Sequence, residues 1–222
     1  MVFYKVNKGI GQMINKNSEN GRSMVEMMGY LMVVMGVIIS IGRIVSSAFD
    51  NHKYSTASLQ LTEFVGAMVK ASAIDYDYSE VVSKANGAKA KELVPDTYRV
   101  VVSGDTAKIY HAFGGTVSVD TVDEGAKLQV KYEKLSKKQC VELAMKDWSK
   151  NQYADLFSLA VNGTTWYWQA YGTSYDDEGD NLTDIGEGKC SGDTCVFPVR
   201  RSALTGGQCA DGLNNTLIWV FN

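Results

Sequence analysis

Residues 27–42, MMGYLMVVMGVIISIG, form sixteen consecutive uncharged and mostly apolar positions. Such a run has to be covered by protein or by lipid, which rules out an ordinary water-exposed segment. Spanning a bilayer takes about 20 residues as a helix. Arg43 can snorkel outward, and residues 44–49 extend the apolar character far enough to meet that length. Ahead of the run lies a polar, basic stretch, residues 1–21, with Lys5, Lys8 and Lys16 against Glu19. Those lysines and Arg22 predict that the N-terminus stays in the cytoplasm while everything after the run is exported. One acid, Glu26, sits at the entrance. A carboxylate entering a bilayer is disfavoured by about 2.5–3.5 kcal/mol on insertion scales, so it calls for a partner.

Three readings compete for this segment. A secretory signal would end in small residues after its apolar core; no A-x-A pattern follows, and Val45-Ser46-Ser47-Ala48 matches only weakly. A plain membrane anchor accounts for the hydrophobicity but gives no role to Gly21 or Glu26. The stretch GRSMVEMMGYLMVVMGVIISIG, from Gly21 onward, resembles the N-terminus of type IV prepilins. That resemblance implies cleavage between Gly21 and Arg22 by a prepilin peptidase and N-methylation of the new terminus on Arg22. It also implies that Glu26, fifth in the mature chain, guides assembly, and that the retained apolar helix becomes filament core. Arg22 departs from the apolar residue usual at the first mature position.

The remainder, 51–222, is large enough to bury a core of its own. Formal charge is −3 overall; the leader carries +2, so the processed chain carries −5. No basic stripe is present, which excludes nucleic-acid binding as the main business of the domain. All four cysteines, Cys140, Cys190, Cys195 and Cys209, fall in the exported part and read as disulfides. A metal site would need Cys/His clusters at ligand spacing, and Cys190-x4-Cys195 with the distant His52 and His111 supplies none. Spacing alone leaves all three connectivities open.

Helical periodicity continues past the apolar run through Tyr54, Ala57, Leu61, Phe64, Val65, Met68 and Ser72, with Lys53, Gln60, Glu63 and Lys70 mostly elsewhere. One helix from about Ser23 to about Ala73 is expected; the alternative is two helices joined near Asp50-Asn51. Alternation and turn residues predict strands over 98–102, 108–111, 116–120 and 127–132, an antiparallel meander with Leu128, Val130 and Tyr132 facing inward. Ser136 and Gln139 form a capping box for a short helix with Cys140, Leu143, Ala144 and Trp148 inside. Further strands are expected over 164–169, 195–200 and 216–221, the last either buried or at an edge.

Val94-Pro95, the Phe113-Gly114-Gly115 turn with Val117 and Val119 after it, and the helix bearing Cys140 ahead of Glu142-Leu143 resemble the core of type IVb pilins, the conjugative thin-pilus and toxin-coregulated class. The resemblance implies an α+β pilin fold: a long N-terminal helix, membrane-spanning in its first half, packed on an antiparallel sheet with a disulfide-closed C-terminal region. It divides the chain into a leader (1–21), an assembly helix (22–50) and an exported globular domain (51–222). It pairs Cys140 with Cys209 and leaves Cys190 with Cys195 as a local loop. Its implied partners are a prepilin peptidase, further pilin subunits in a helical homopolymer, and the inner membrane before export to an extracellular pilus. Adhesion, conjugation and secretion are the downstream roles it brings. The alternatives are a minor pilin or pseudopilin of a type II secretion system, and a membrane-anchored exported binding protein.

No cofactor is expected, and no enzymatic activity. His52 and His111 have no nucleophile or acid at motif spacing. Asp176, Glu178, Asp180, the Leu182 carbonyl, Asp184 and Glu187 fall at positions 1, 3, 5, 7, 9 and 12 of a calcium-loop pattern. Asn181 stands in place of its glycine and neither flank reads as helix, so a solvated acidic loop is favoured and no metal is assigned. Trp148, Trp166, Trp168 and Trp219 suit a carbohydrate surface, although core packing is the commoner fate of tryptophan.

Overall fold

The computed structural model describes residues 16–73, 77–148, 154–168, 190–191 and 194–222, with side chains from residue 24 onward except those of 190, 191 and 194. The acidic residues 176–187 of the calcium-loop pattern lie outside the described residues, as does the first part of the leader. The chain divides into two compact units, Met1–Asn51 and His52–Asn222.

Helix α1 spans Lys16–Ser72 as one element, so the two-helix alternative is not what forms. It begins some residues before the expected Ser23, because the preceding residues contain no proline and a single glycine in a helix is disfavoured by only about 1 kcal/mol. In the second unit the predicted stripe is inside: Ala57, Leu61, Phe64, Val65, Met68 and Ser72 are all buried. Gln60, read from sequence as a polar-face residue, is also buried. Its amide explains this, since Nε2 donates to the Thr97 carbonyl and Oε1 accepts from Ala112 N–H at 2.9 Å. Burying that amide with both ends paired avoids the loss a lone polar group would bring.

Nine strands form a single sheet among the described residues: β1 (Arg99–Ser103), β2 (Thr106–Tyr110), β3 (Thr116–Val122), β4 (Lys127–Leu135), β5 (Leu156–Val161), β6 (Thr164–Tyr167), β7 (Cys190–Ser191), β8 (Thr194–Val196) and β9 (Asn215–Phe221). Their order is β1-β2-β3-β4-β9-β5-β6-β8-β7. β1 to β4 are the expected antiparallel meander, with Val119 paired to Val130 and Leu128 to Thr121. Among the described strands the one parallel pairing is β6 with β8. β9 is neither at an edge nor peripheral. It joins β4 to β5, with Trp219 opposite Val130 on one side and Leu159 on the other.

Helix α2 (Ser79–Asn86) and the single turn α3 (Ala90–Leu93) connect α1 to the sheet, α2 burying Val81, Val82 and Ala85. Helix α4 (Lys137–Ala144) starts with the predicted box: the Gln139 amide donates to Ser136 Oγ at 3.3 Å, and the Ser136 amide donates to Gln139 Oε1 at 2.8 Å. The short α5 (Arg201–Ala203) runs into a π turn, Leu204–Gln208. Leu61, Phe64, Ile109, Leu128, Trp166 and Trp219 belong to one continuous buried cluster. Each such side chain contributes about 1.5–3 kcal/mol on removal from water.

Candidate functional site

Among the described residues, the first unit is helix throughout. Every side chain from Met24 to Phe49 is exposed, including Met28, Leu31, Met35, Ile38, Ile39 and Ile41. By length and composition, α1 is the one helix among the described residues capable of crossing a membrane. The one serine of the run is satisfied locally, Ser40 Oγ donating to the Gly36 carbonyl at 2.8 Å. Such back-bonding removes a polar group from the surface presented to an apolar medium. Glu26 is exposed on this helix. Gly21 and Arg22 lie in the backbone of α1, and their side chains fall outside the described set.

In the second unit the aromatic-glycine-glycine motif has a physical basis. The His111 amide donates to Gly115 O at 3.1 Å and the Gly114 amide donates back to His111 O at 2.8 Å, closing a tight turn. Gly114 sits at φ +86°, where a side chain is disfavoured. At Gly115 a Cβ would collide with the Glu133 carbonyl and the His111 ring. His111 is 3% exposed and stacks on Tyr132 with ring centres 4.8 Å apart. The Phe113 amide donates to its Nδ1 at 3.2 Å, so its Nε2 carries the proton and donates to Glu133 O at 3.0 Å. Burial holds the ring's pKa below the ordinary histidine value. Its neighbours continue the chain of contacts: Tyr132 and Tyr98 share a buried hydroxyl pair at 2.6 Å, and Burial pushes the Tyr132 phenol well above its usual pKa. His111 is thus a structural residue with both ring nitrogens engaged, and His52 is an exposed partner of Thr56.

Cys140 on α4 is bonded to Cys209 ahead of β9, their Cα atoms 6.0 Å apart across 69 residues of sequence. Cys195 is also disulfide-bonded, and the backbone register sets Cys190 opposite it. The Cys209 loop is further held by Asn215, which is fully buried. Asn215 donates to the carbonyls of Leu135 and Ala210 at 2.9 Å each and accepts from the Ala210 amide at 2.6 Å. Sequence reasoning did not single out Asn215; a polar residue opening an apolar strand was the only sign. Trp148, Trp166 and Trp219 are core residues, whereas Trp168 is exposed. Among the described residues no group of His, Cys, Asp and Glu side chains is placed to hold a metal.

No protein-family model matches the sequence, and no curated protein matches it either. Among solved structures, a type IV b pilin from Salmonella typhi is similar at a TM-score of 0.40 with 14% identity, covering 77% of this chain and 95% of that one.

Proposed function

We propose that the chain is a structural subunit of a type IVb-like pilus, made as a prepilin, trimmed after Gly21 and polymerised through α1. The observation that carries this reading is the bare apolar helix from Met24 to Phe49 with one carboxylate, Glu26, at its start. In the inner membrane lipid covers that surface, with the N-terminus cytoplasmic and 51–222 outside. In the filament, neighbouring copies of the same helix replace the lipid.

Glu26 then acts as a register device. A carboxylate buried without a partner is destabilising by about 3–5 kcal/mol, whereas pairing restores the balance. The free amine left on Arg22 of the adjacent subunit is the matching charge. Arg22 and Glu26 are also four residues apart in the same helix, a spacing at which they attract each other by about 0.2–0.5 kcal/mol. The intermolecular pair has to outcompete that contact.

Co-expression with a prepilin peptidase tests processing: whole-protein mass should fall by residues 1–21, and Gly21→Ala should abolish the shift. Glu26→Gln should be trimmed normally yet disappear from sheared surface filaments. Protein from the native cell that begins at Met1, or downstream of Ala48, would overturn the proposal.

A further inference from the structure

The two ends of the β1–β4 meander differ in charge. At one of them β1 and β3 start while β2 and β4 end, with Tyr110 in register with Arg99 on one side and Thr116 on the other. An open cleft of about 400 Å³ lies there, and Gln60, Thr97, Arg99, Tyr110, His111 and Gly114 line it. Most of that lining is already hydrogen-bonded: Gln60 to Thr97 and Ala112, His111 to Phe113 and Glu133, and the Gly114 amide to the His111 carbonyl. Arg99 and Tyr110 are different. The guanidinium lies 5.3 Å from the centre of the Tyr110 ring, and among the described residues it has no carboxylate partner and the phenol hydroxyl has no hydrogen-bond partner. The acids beside Thr97, Glu63 and Asp96, do not line the cleft, and Glu63 accepts from the Thr97 hydroxyl at 3.1 Å. The lining therefore carries one charge, which is positive, and donors still to be used.

The opposite end is acidic. Asp105 in the β1–β2 turn, Asp120 in β3, and Asp123 and Glu124 in the β3–β4 turn are all exposed. Asp123 is paired with Lys127, whereas Asp105 and Glu124 have no cation partner among the described residues. Glu124 is held in the turn at φ +56°. The seven residues of β3 set the two ends about 20 Å apart, so Glu124 does not reach the Arg99 of its own copy. The second half of α1 follows the same direction. Gln60 lines the cleft, and past the helix the Tyr78 amide donates to Gly125 O at 2.9 Å, at the acidic end.

We infer that the Arg99 cleft of one copy receives the Glu124 turn of a second copy, the exported domains meeting end to end along α1. The inference rests on the pilus reading, in which α1 gathers identical copies along one axis. Contact between two different patches of one chain repeats without closing, as a filament requires. A carboxylate takes the fork of Arg99 and the Tyr110 hydroxyl together and asks nothing of groups already bonded. The cleft is wider than a lone ion needs and open enough to admit a turn. Such a charged contact fixes direction and register more than it adds affinity.

Arg99→Lys keeps the charge and supplies an amine for coupling. Native cells expressing that full-length variant are treated with a water-soluble carbodiimide, which joins amines to carboxylates in contact, and sheared filaments and membranes are each digested for mass spectrometry. A peptide joining position 99 to Glu124 is expected in the filaments. Arg99→Glu should lower the yield of sheared filaments by about tenfold or more, because like charges then face one another, and adding Glu124→Arg should restore it. Filaments without the joined peptide, an undiminished yield from Arg99→Glu, or a double variant as poor as Arg99→Glu alone would each overturn the docking and leave the pilus reading standing. The joined peptide in membranes, with no filament to shear even from the unaltered chain, would keep the docking and remove the pilus.

Discussion

Replacing His111 with asparagine is expected to lower stability near neutral pH and to flatten the acid limb of the stability profile. The neutral ring is built in: Nδ1 accepts from the Phe113 amide and Nε2 donates to the Glu133 carbonyl. Protonating Nδ1 would set two donors against each other. Burial accordingly depresses the folded pKa below 6.5, opposed in part by the Glu133 carbonyl. The stability this neutral ring supplies is complete above the unfolded value of 6.5. It is lost as pH falls from there through the lower folded value, at up to about 1.4 kcal/mol per pH unit. The groups around the ring do not titrate in that window. Tyr98 and Tyr132 are pushed upward by burial. The Glu133 carboxylate is held below its ordinary range by Lys131 at 2.6 Å and Thr116 at 2.9 Å. Asparagine cannot span both ring contacts, so one or both of the Phe113 amide and the Glu133 carbonyl lose a partner, a loss of about 1–3 kcal/mol for each group left without one. Urea unfolding of the micelle-held chain, followed by tryptophan fluorescence between about pH 8 and pH 5.5 and read against that slope, measures both effects. An asparagine variant with an unchanged acid slope, or a His111 that titrates at or above 6.5 by NMR, would refute the reasoning.

Gly115→Ala should be far more damaging than Gly114→Ala. The first puts a methyl into the Glu133 carbonyl and the His111 ring, while the second meets open space and bears only the left-handed backbone penalty of about 1–2 kcal/mol, a contrast that thermal melts will resolve. The double variant Cys140→Ser, Cys209→Ser opens a loop spanning 69 residues and should lose about 4 kcal/mol in the chain-entropy account, read from the urea midpoint. Ser136→Ala removes the side-chain cap of α4 and should lower stability by about 1 kcal/mol in the same assay. Gln60→Leu strips the Thr97 carbonyl and the Ala112 amide of a shared partner. Hydrogen exchange at Ala112 should accelerate while α4 amides keep their protection.

Most of the fold was legible where one periodicity dominated. The α1 stripe, the meander with Leu128, Val130 and Tyr132 inward, and the Ser136 box all follow from spacing. β5 was not anticipated, because it is buried on both faces, Leu159 in register with Trp166 and Trp219 and Ser158 on the opposite face in register with Tyr167 and Val220, and the pairing with β9 shifts register between Leu156 and Ser158. Burial of both faces and a bulge together erase the alternation that announces a strand. α2 is only two turns long and carries too few apolar positions to stand out. Gln60 illustrates the other limit: its polarity reads as solvent-facing until the backbone groups from Thr97 and Ala112 arrive from distant sequence. For the candidate site, the apolar helix was plain from composition alone. Separating Trp168 from its three buried counterparts required the tertiary arrangement.

The position of β9 has a temporal corollary. β4 and β5 are neighbours of β9 but not of each other, so the two halves of the sheet stay unjoined until β9, which follows both of them in sequence, has been made and has docked between them.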